Sequence, residues 1–106
     1  MKILFDQGTP VPLRRFLPGH TVETAYERGW SELNNGKLLS RAEQEGYALL
    51  ITTDRNLRYE QNLANRSIAI AVLMTTSWPR IKQHTDRIQA IVDAIQPGTY
   101  QEIPIE

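Results

Sequence analysis

Ile68-Ala69-Ile70-Ala71-Val72-Leu73-Met74 is apolar at every position. A strand with one wet face alternates polar and apolar residues. An unbroken apolar run instead suits a strand covered on both faces, as in parallel sheets. Two other runs read the same way and each ends in an acid. Lys2-Ile3-Leu4-Phe5 leads into Asp6, and Ala48-Leu49-Leu50-Ile51-Thr52-Thr53 leads into Asp54. Residues 20–25 read as a further strand with rough alternation, and residues 99–105 as a short edge strand in which Pro104 limits pairing.

Helical segments lie between these runs. Thr9-Pro10 opens one, with Thr9 as cap and Leu13, Phe16 and Leu17 on its apolar face, before Pro18-Gly19 stops it. Residues 27–35 are irregular, with Trp30 and Leu33 as anchors. A helix over residues 36–45 turns Leu38, Leu39 and Ala42 inward and ends at Gly46. Residues 55–66 read as a polar loop with a short helix from Tyr59 to Ala64. Ser77-Trp78-Pro79 starts one long last helix whose Ile81, Ile88, Ile91, Val92 and Ile95 share a face. Strands alternating with helices predict an α/β fold: a three-layer parallel sheet of four to five strands with right-handed crossovers. With 106 residues, the chain is expected to form a single domain, 1–106.

Composition narrows the chemistry. The absence of cysteine excludes disulfides, zinc–thiolate sites and thiol catalysis, and two histidines are too few for an all-protein zinc site. No run approaches the ~20 apolar residues of a membrane span, and no apolar leader precedes Asp6, so a cytoplasmic protein is expected. A net charge of zero argues against a domain devoted to gripping nucleic acid. Local clusters remain, at Arg14-Arg15 and at Arg55, Arg58 and Arg66, although scattered solvated arginines are the simpler reading. No Gly-rich dinucleotide fingerprint, phosphate loop or nucleophile elbow is present.

Asp6 and Asp54 carry the remaining signal. Ligands in open α/β sheets bind beyond the carboxyl ends of the strands, and two acids there suit a hard cation. Asp is also a common turn and cap residue, which is the plainer account of either one alone.

The segments Lys2-Ile3-Leu4-Phe5-Asp6-Gln7-Gly8-Thr9-Pro10, Gly19-His20-Thr21-Val22 and Leu49-Leu50-Ile51-Thr52-Thr53-Asp54-Arg55-Asn56-Leu57 together resemble the short prokaryotic PIN-like proteins, the toxin component type of toxin–antitoxin pairs. The resemblance covers roughly residues 1–75. It implies a PIN-like sheet and a Mg²⁺- or Mn²⁺-dependent ribonuclease site, with RNA as substrate and an antitoxin-like protein as partner. Asp6 and Asp54 match acids of the pattern and would be the catalytic pair and metal ligands. Gln7, Asn35 and Asn56 stand where acids are common, so Asn35 and Asn56 become second-rank metal ligands. Their plainer readings are an N-cap and a turn residue. Arg55 and Arg58 are candidate nucleic-acid contacts.

With three amides in place of carboxylates, two cations ~3.5–4 Å apart would be poorly neutralised, whereas one Mg²⁺ remains feasible. The alternative on the same fold is a catalytically weak or inactive module that binds a protein partner or nucleic acid. A phosphoacceptor receiver domain ranks last, because it needs an acidic pair after the first strand and a late lysine. Here Gln7 follows Asp6, and the lysines are Lys2, Lys37 and Lys82. Trp78 and Tyr59 are candidate anchors for a partner or a second copy in a homo-oligomer, with core or rim packing as the plainer account.

Overall fold

The computed structural model describes residues 1–60 and 62–106. Five strands form one sheet: β1 (Lys2–Phe5), β2 (Thr21–Thr24), β3 (Leu49–Thr52), β4 (Ala69–Leu73) and β5 (Tyr100–Ile103). Every pairing is parallel and the order is β2-β1-β3-β4-β5. All four residues of β3 and all five of β4 are buried, as their apolar runs require.

Alternation along the strands builds two cores. Ile3, Phe5, Leu49, Ile51, Ala71 and Leu73 face one side, where Leu13 and Leu17 from around the 3-10 helix Val11–Phe16 pack with Ile81, Ile88 and Val92. Leu4, Leu50, Ile70 and Val72 face the other side, under Leu38, Leu39 and Ala42 of α1 (Asn35–Gln44) and Leu57 of α2 (Leu57–Glu60). The result is the expected sheet between two helical layers. Each fully buried aliphatic side chain contributes about 1.5–3 kcal/mol through water release.

Several local expectations are corrected. Thr9 does not cap the first helix: Pro10 holds the cap position without a side-chain bond, and the segment is a 3-10 helix. The single last helix is two, α3 (Trp78–Lys82) and α4 (Thr85–Ala94). At the break Gln83 N–H bonds Arg80 O and His84 N–H bonds Ile81 O, a tightened three-residue spacing. Because Ile81 and Ile88 keep a common face across the break, periodicity does not reveal it. The short helix falls at Leu57–Glu60 rather than around Tyr59 to Ala64, a span that includes Gln61, outside the described residues. Trp78 packs on the core beside Phe16, with ring centroids 6.0 Å apart, while Tyr59 is 72 % exposed.

The crossovers also differ from expectation. The β2-to-β3 and β3-to-β4 connections move the same way across the sheet on the α1 face, whereas β4-to-β5 moves that way on the opposite face. Parallel connections of equal direction on opposite faces have opposite hands. The β4-to-β5 crossover therefore differs in hand from the other three, and uniform right-handedness does not hold. Its physical reason is coverage. The short 3-10 helix cannot cover its face of a five-stranded sheet, and α3 and α4 supply Ile81, Ile88 and Val92 there.

Candidate active site at the β1–β3 ends

The path from β1 leads first to β2 on one side, then back past β1 to β3 on the other. The gap between the carboxyl ends of β1 and β3 is thus the switch point of the sheet, where ligands of open α/β folds bind. Asp6 and Asp54 lie just past these ends, on strands in parallel register with Phe5 opposite Ile51.

Thr52 joins the two acids. Its Oγ1 donates to Asp6 Oδ2 and accepts the backbone N–H of Asp54 at 3.0 Å. Thr52 is 1 % exposed, so its polar atom needs partners, and the two acid-bearing loops provide them. Thr9, also buried, places Oγ1 2.7 Å from Asp6 Oδ1 and 2.8 Å from the carbonyl oxygen of Ile51. One hydroxyl proton serves only one acceptor at a time. If Asp6 is protonated, it donates to Thr9 while Thr9 donates to Ile51, and both bonds are satisfied. Burial pushes the Asp6 carboxyl above the usual carboxylate range, and the charge of Asp54 adds to the rise. Thr52, Thr9 and Gly8 oppose it by hydrogen bonding.

Asp54 is held differently. Its Oδ2 accepts Asn35 Nδ2 at 2.8 Å, and its Oδ1 accepts the backbone N–H of Asn56 at 3.0 Å. Asn34, not Asn35, caps α1, its Oδ1 accepting Lys37 N–H at 2.9 Å. That frees the Asn35 side chain to face Asp54. Asn56 touches Asp54 through its backbone, in the turn expected of it, while its residue lines a different cavity. Gln7 is exposed beside Asp6.

A cleft of about 160 Å³ opens beside Asp6 and Asn35, lined also by Gln7, Trp30 and Leu33; Asp54 does not line it. A second cavity, about 520 Å³, lies toward β5 and is lined by Arg55, Asn56, Arg58, Tyr59, Met74 and Glu102. Arg58 is engaged there: its Nη1 is 3.7 Å from Glu102 and its Nη2 donates to the Tyr59 hydroxyl at 2.6 Å. Arg14 pairs with Glu27 and Arg66 with Glu43, so neither is a spare cation. Glu23 of β2 accepts the Tyr47 hydroxyl at 2.7 Å.

The sequence reading brought Asp6, Asp54 and Asn35 together as the structure does, but it missed Thr9 and Thr52. The available signal was a threonine closing a wholly apolar run, since a polar atom in a doubly covered strand needs a partner. Among the described residues no group of three or more His, Cys, Asp or Glu side chains is gathered for a metal, and no helix is long and apolar enough to cross a membrane. No family model, curated protein or solved structure matches the chain.

Proposed function

We propose that this protein is a PIN-like, metal-dependent ribonuclease of the cytoplasm, using one Mg²⁺ or Mn²⁺ rather than two. The observation that carries the reading is the Thr52 bridge, which ties Asp6 and Asp54 together at the sheet's switch point. The donor set fits one hard cation. Asp6 accepts hydrogen bonds from Thr52, Thr9 and Gly8, and Asp54 from Asn35 and Asn56, which leaves lone pairs on both carboxylates for a cation. All donors are oxygen, and Mg²⁺ commonly binds through one or two carboxylates with waters completing its shell. Asp6 and Asp54 would hold the ion, with the Asn35 amide oxygen beside them. Two acids are too few for a two-cation centre.

When bound, the ion supplies charge stabilisation at the phosphodiester and a more acidic water. The chain's own residues do the rest. Thr52 and Thr9 orient the Asp6 carboxylate, and Asn35 orients that of Asp54. Arg55, exposed directly after Asp54, offers a cation to the substrate phosphate. Incubating single-stranded RNA with wild type, Asp6→Asn and Asp54→Asn in Mn²⁺ tests this. Wild-type cleavage that both variants lose supports the reading, and no cleavage by any of them removes it.

One observation favours a second reading, a binding module for RNA or an antitoxin-like protein. Asp54 has both oxygens satisfied by Asn35 and Asn56, as a purely structural turn residue would. Binding without cleavage, and without any effect of Mn²⁺, would establish it.

A further inference from the structure

We infer that Arg80, with Arg55 and the hydroxyls of Thr53, Thr75 and Thr76, forms a phosphate-binding subsite on the β4 side of Asp54. The subsite rests on the ribonuclease reading where it specifies RNA, and on its own geometry where it specifies phosphate.

A cavity of about 370 Å³ opens at the carboxyl ends of β3 and β4, lined by Thr53, Arg55, Met74, Thr75, Thr76 and Arg80. Both guanidinium groups are exposed. Neither makes an ion pair or a side-chain hydrogen bond among the described residues, in contrast to Arg58 with its Glu102 and Tyr59 partners. Among the described residues no acid lines this cavity. Two uncompensated guanidinium groups over three hydroxyl-bearing side chains match the needs of a phosphate: two positive charges, fork-like donors and neutral donors between them. The chemistry suits an oxyanion with several acceptor oxygens better than a carboxylate, which would leave most of these donors unused.

The cavity also adjoins the acid pair. Thr53 lines it and precedes Asp54. A Cβ built on Gly8 would meet Thr53 Oγ1 at 2.6 Å, so Thr53 lies directly against the loop that carries Asp6. A phosphate held by Arg55 and Arg80 is therefore next to the acids, in the position of a neighbouring phosphate of a strand crossing the site. Sequence reasoning did not find Arg80, because it lies 25 residues beyond Arg55 and reads as part of the polar face of a helix.

The test uses the full chain in EDTA, so that nothing is cleaved. One arm measures binding of fluorescein-labelled 12-mers of U and of A against salt, for wild type, Arg55→Ala, Arg80→Ala and Arg87→Ala. Arg87 lies on α4, lines neither the 520 Å³ nor the 370 Å³ cavity, and its removal changes net charge equally. The slope of log K against log salt should fall by about 0.7 for each of Arg55→Ala and Arg80→Ala, equally on both sequences, and stay unchanged for Arg87→Ala. The other arm titrates inorganic phosphate and follows the amide resonances of Thr53, Thr75 and Thr76. Shifts should occur in wild type and vanish in the Arg55→Ala/Arg80→Ala double variant.

A response in both arms, or in the RNA arm alone, supports a phosphodiester subsite. A response to inorganic phosphate alone supports the anion site and counts against the RNA reading. Equal slopes for Arg80→Ala and Arg87→Ala, with no phosphate-dependent shifts, overturn the subsite. The Asp6 and Asp54 cleavage assay then still decides the ribonuclease reading independently.

Discussion

Asn35 Nδ2 donates to Asp54 Oδ2 across 2.8 Å, joining the first turn of α1 to the loop after β3. The contact exists because Asn34 takes the capping role and leaves Asn35 free. It makes Asn35 the position most informative about the site.

Asn35→Asp replaces that donor with a second carboxylate against Asp54. Without metal the variant should lose about 1–3 kcal/mol of stability, from the broken bond to a charged group and like-charge repulsion. With Mn²⁺ the added charge should tighten binding at least tenfold, equivalent to about 1.4 kcal/mol. Calorimetric Mn²⁺ titration and thermal melting of wild type and variant check both parts. Equal Mn²⁺ affinity would reduce Asn35 to an orienting group.

Thr52→Val keeps the shape and removes the bridging hydroxyl. Asp6 loses a donor, and the Asp54 N–H loses its acceptor in a half-buried setting. The expected cost is about 1–3 kcal/mol in urea denaturation, with weaker Mn²⁺ binding, while Thr52→Ser should retain most of both. A Val variant as stable as wild type would show that water replaces the bridge at no cost.

Asp6 governs a pH trend. Burial raises its folded pKa above that of the unfolded chain, so the folded state holds this proton more tightly. The contribution of Asp6 to stability consequently falls as pH rises from the unfolded value to the folded one. Glu43 behaves oppositely. Burial pulls its pKa upward, but Arg66 and the Ser67 donors outweigh it and hold the carboxyl low. Its stabilisation is lost as pH falls. Comparing Asp6→Asn with wild type cancels the Glu43 effect. The stability difference should shift in favour of the variant as pH rises from ~4 to 7, and Mn²⁺ should reverse it. A pH-independent difference would contradict the assignment.

Gly8→Ala places a methyl group 2.6 Å from Thr53 Oγ1, so Thr53 must rotate or the Asp6 loop must shift. Overpacking of this kind costs typically about 1–3 kcal/mol. The double variant Gly8→Ala/Thr53→Ser should not regain the loss, because serine can still place Oγ at that point, whereas Gly8→Ala/Thr53→Ala should. Thermal melts of the three variants measure the coupling.

The covered strands, the positions of their terminal acids and the inward faces of α1 and α4 were legible from residue order alone. Those features depend on local pattern: the unbroken apolar run Ile68 to Met74 suits a strand covered on both faces, and Leu38, Leu39 and Ala42 fall on one side of a helix. Strand order was not legible, since neighbours are chosen by packing between segments far apart in sequence. That order puts β1 beside β3 and so makes one site of Asp6 and Asp54. The sequence likewise allowed Thr9 to be a cap and Asn35 a cap. Only the assembled fold, where the half-buried carboxylate of Asp6 competes for the Thr9 hydroxyl and Asn34 takes the helix start, turned both toward the acids. Hydrogen-bond partners of buried polar groups are settled by which donors and acceptors tertiary packing brings within reach, and residue type alone does not specify them.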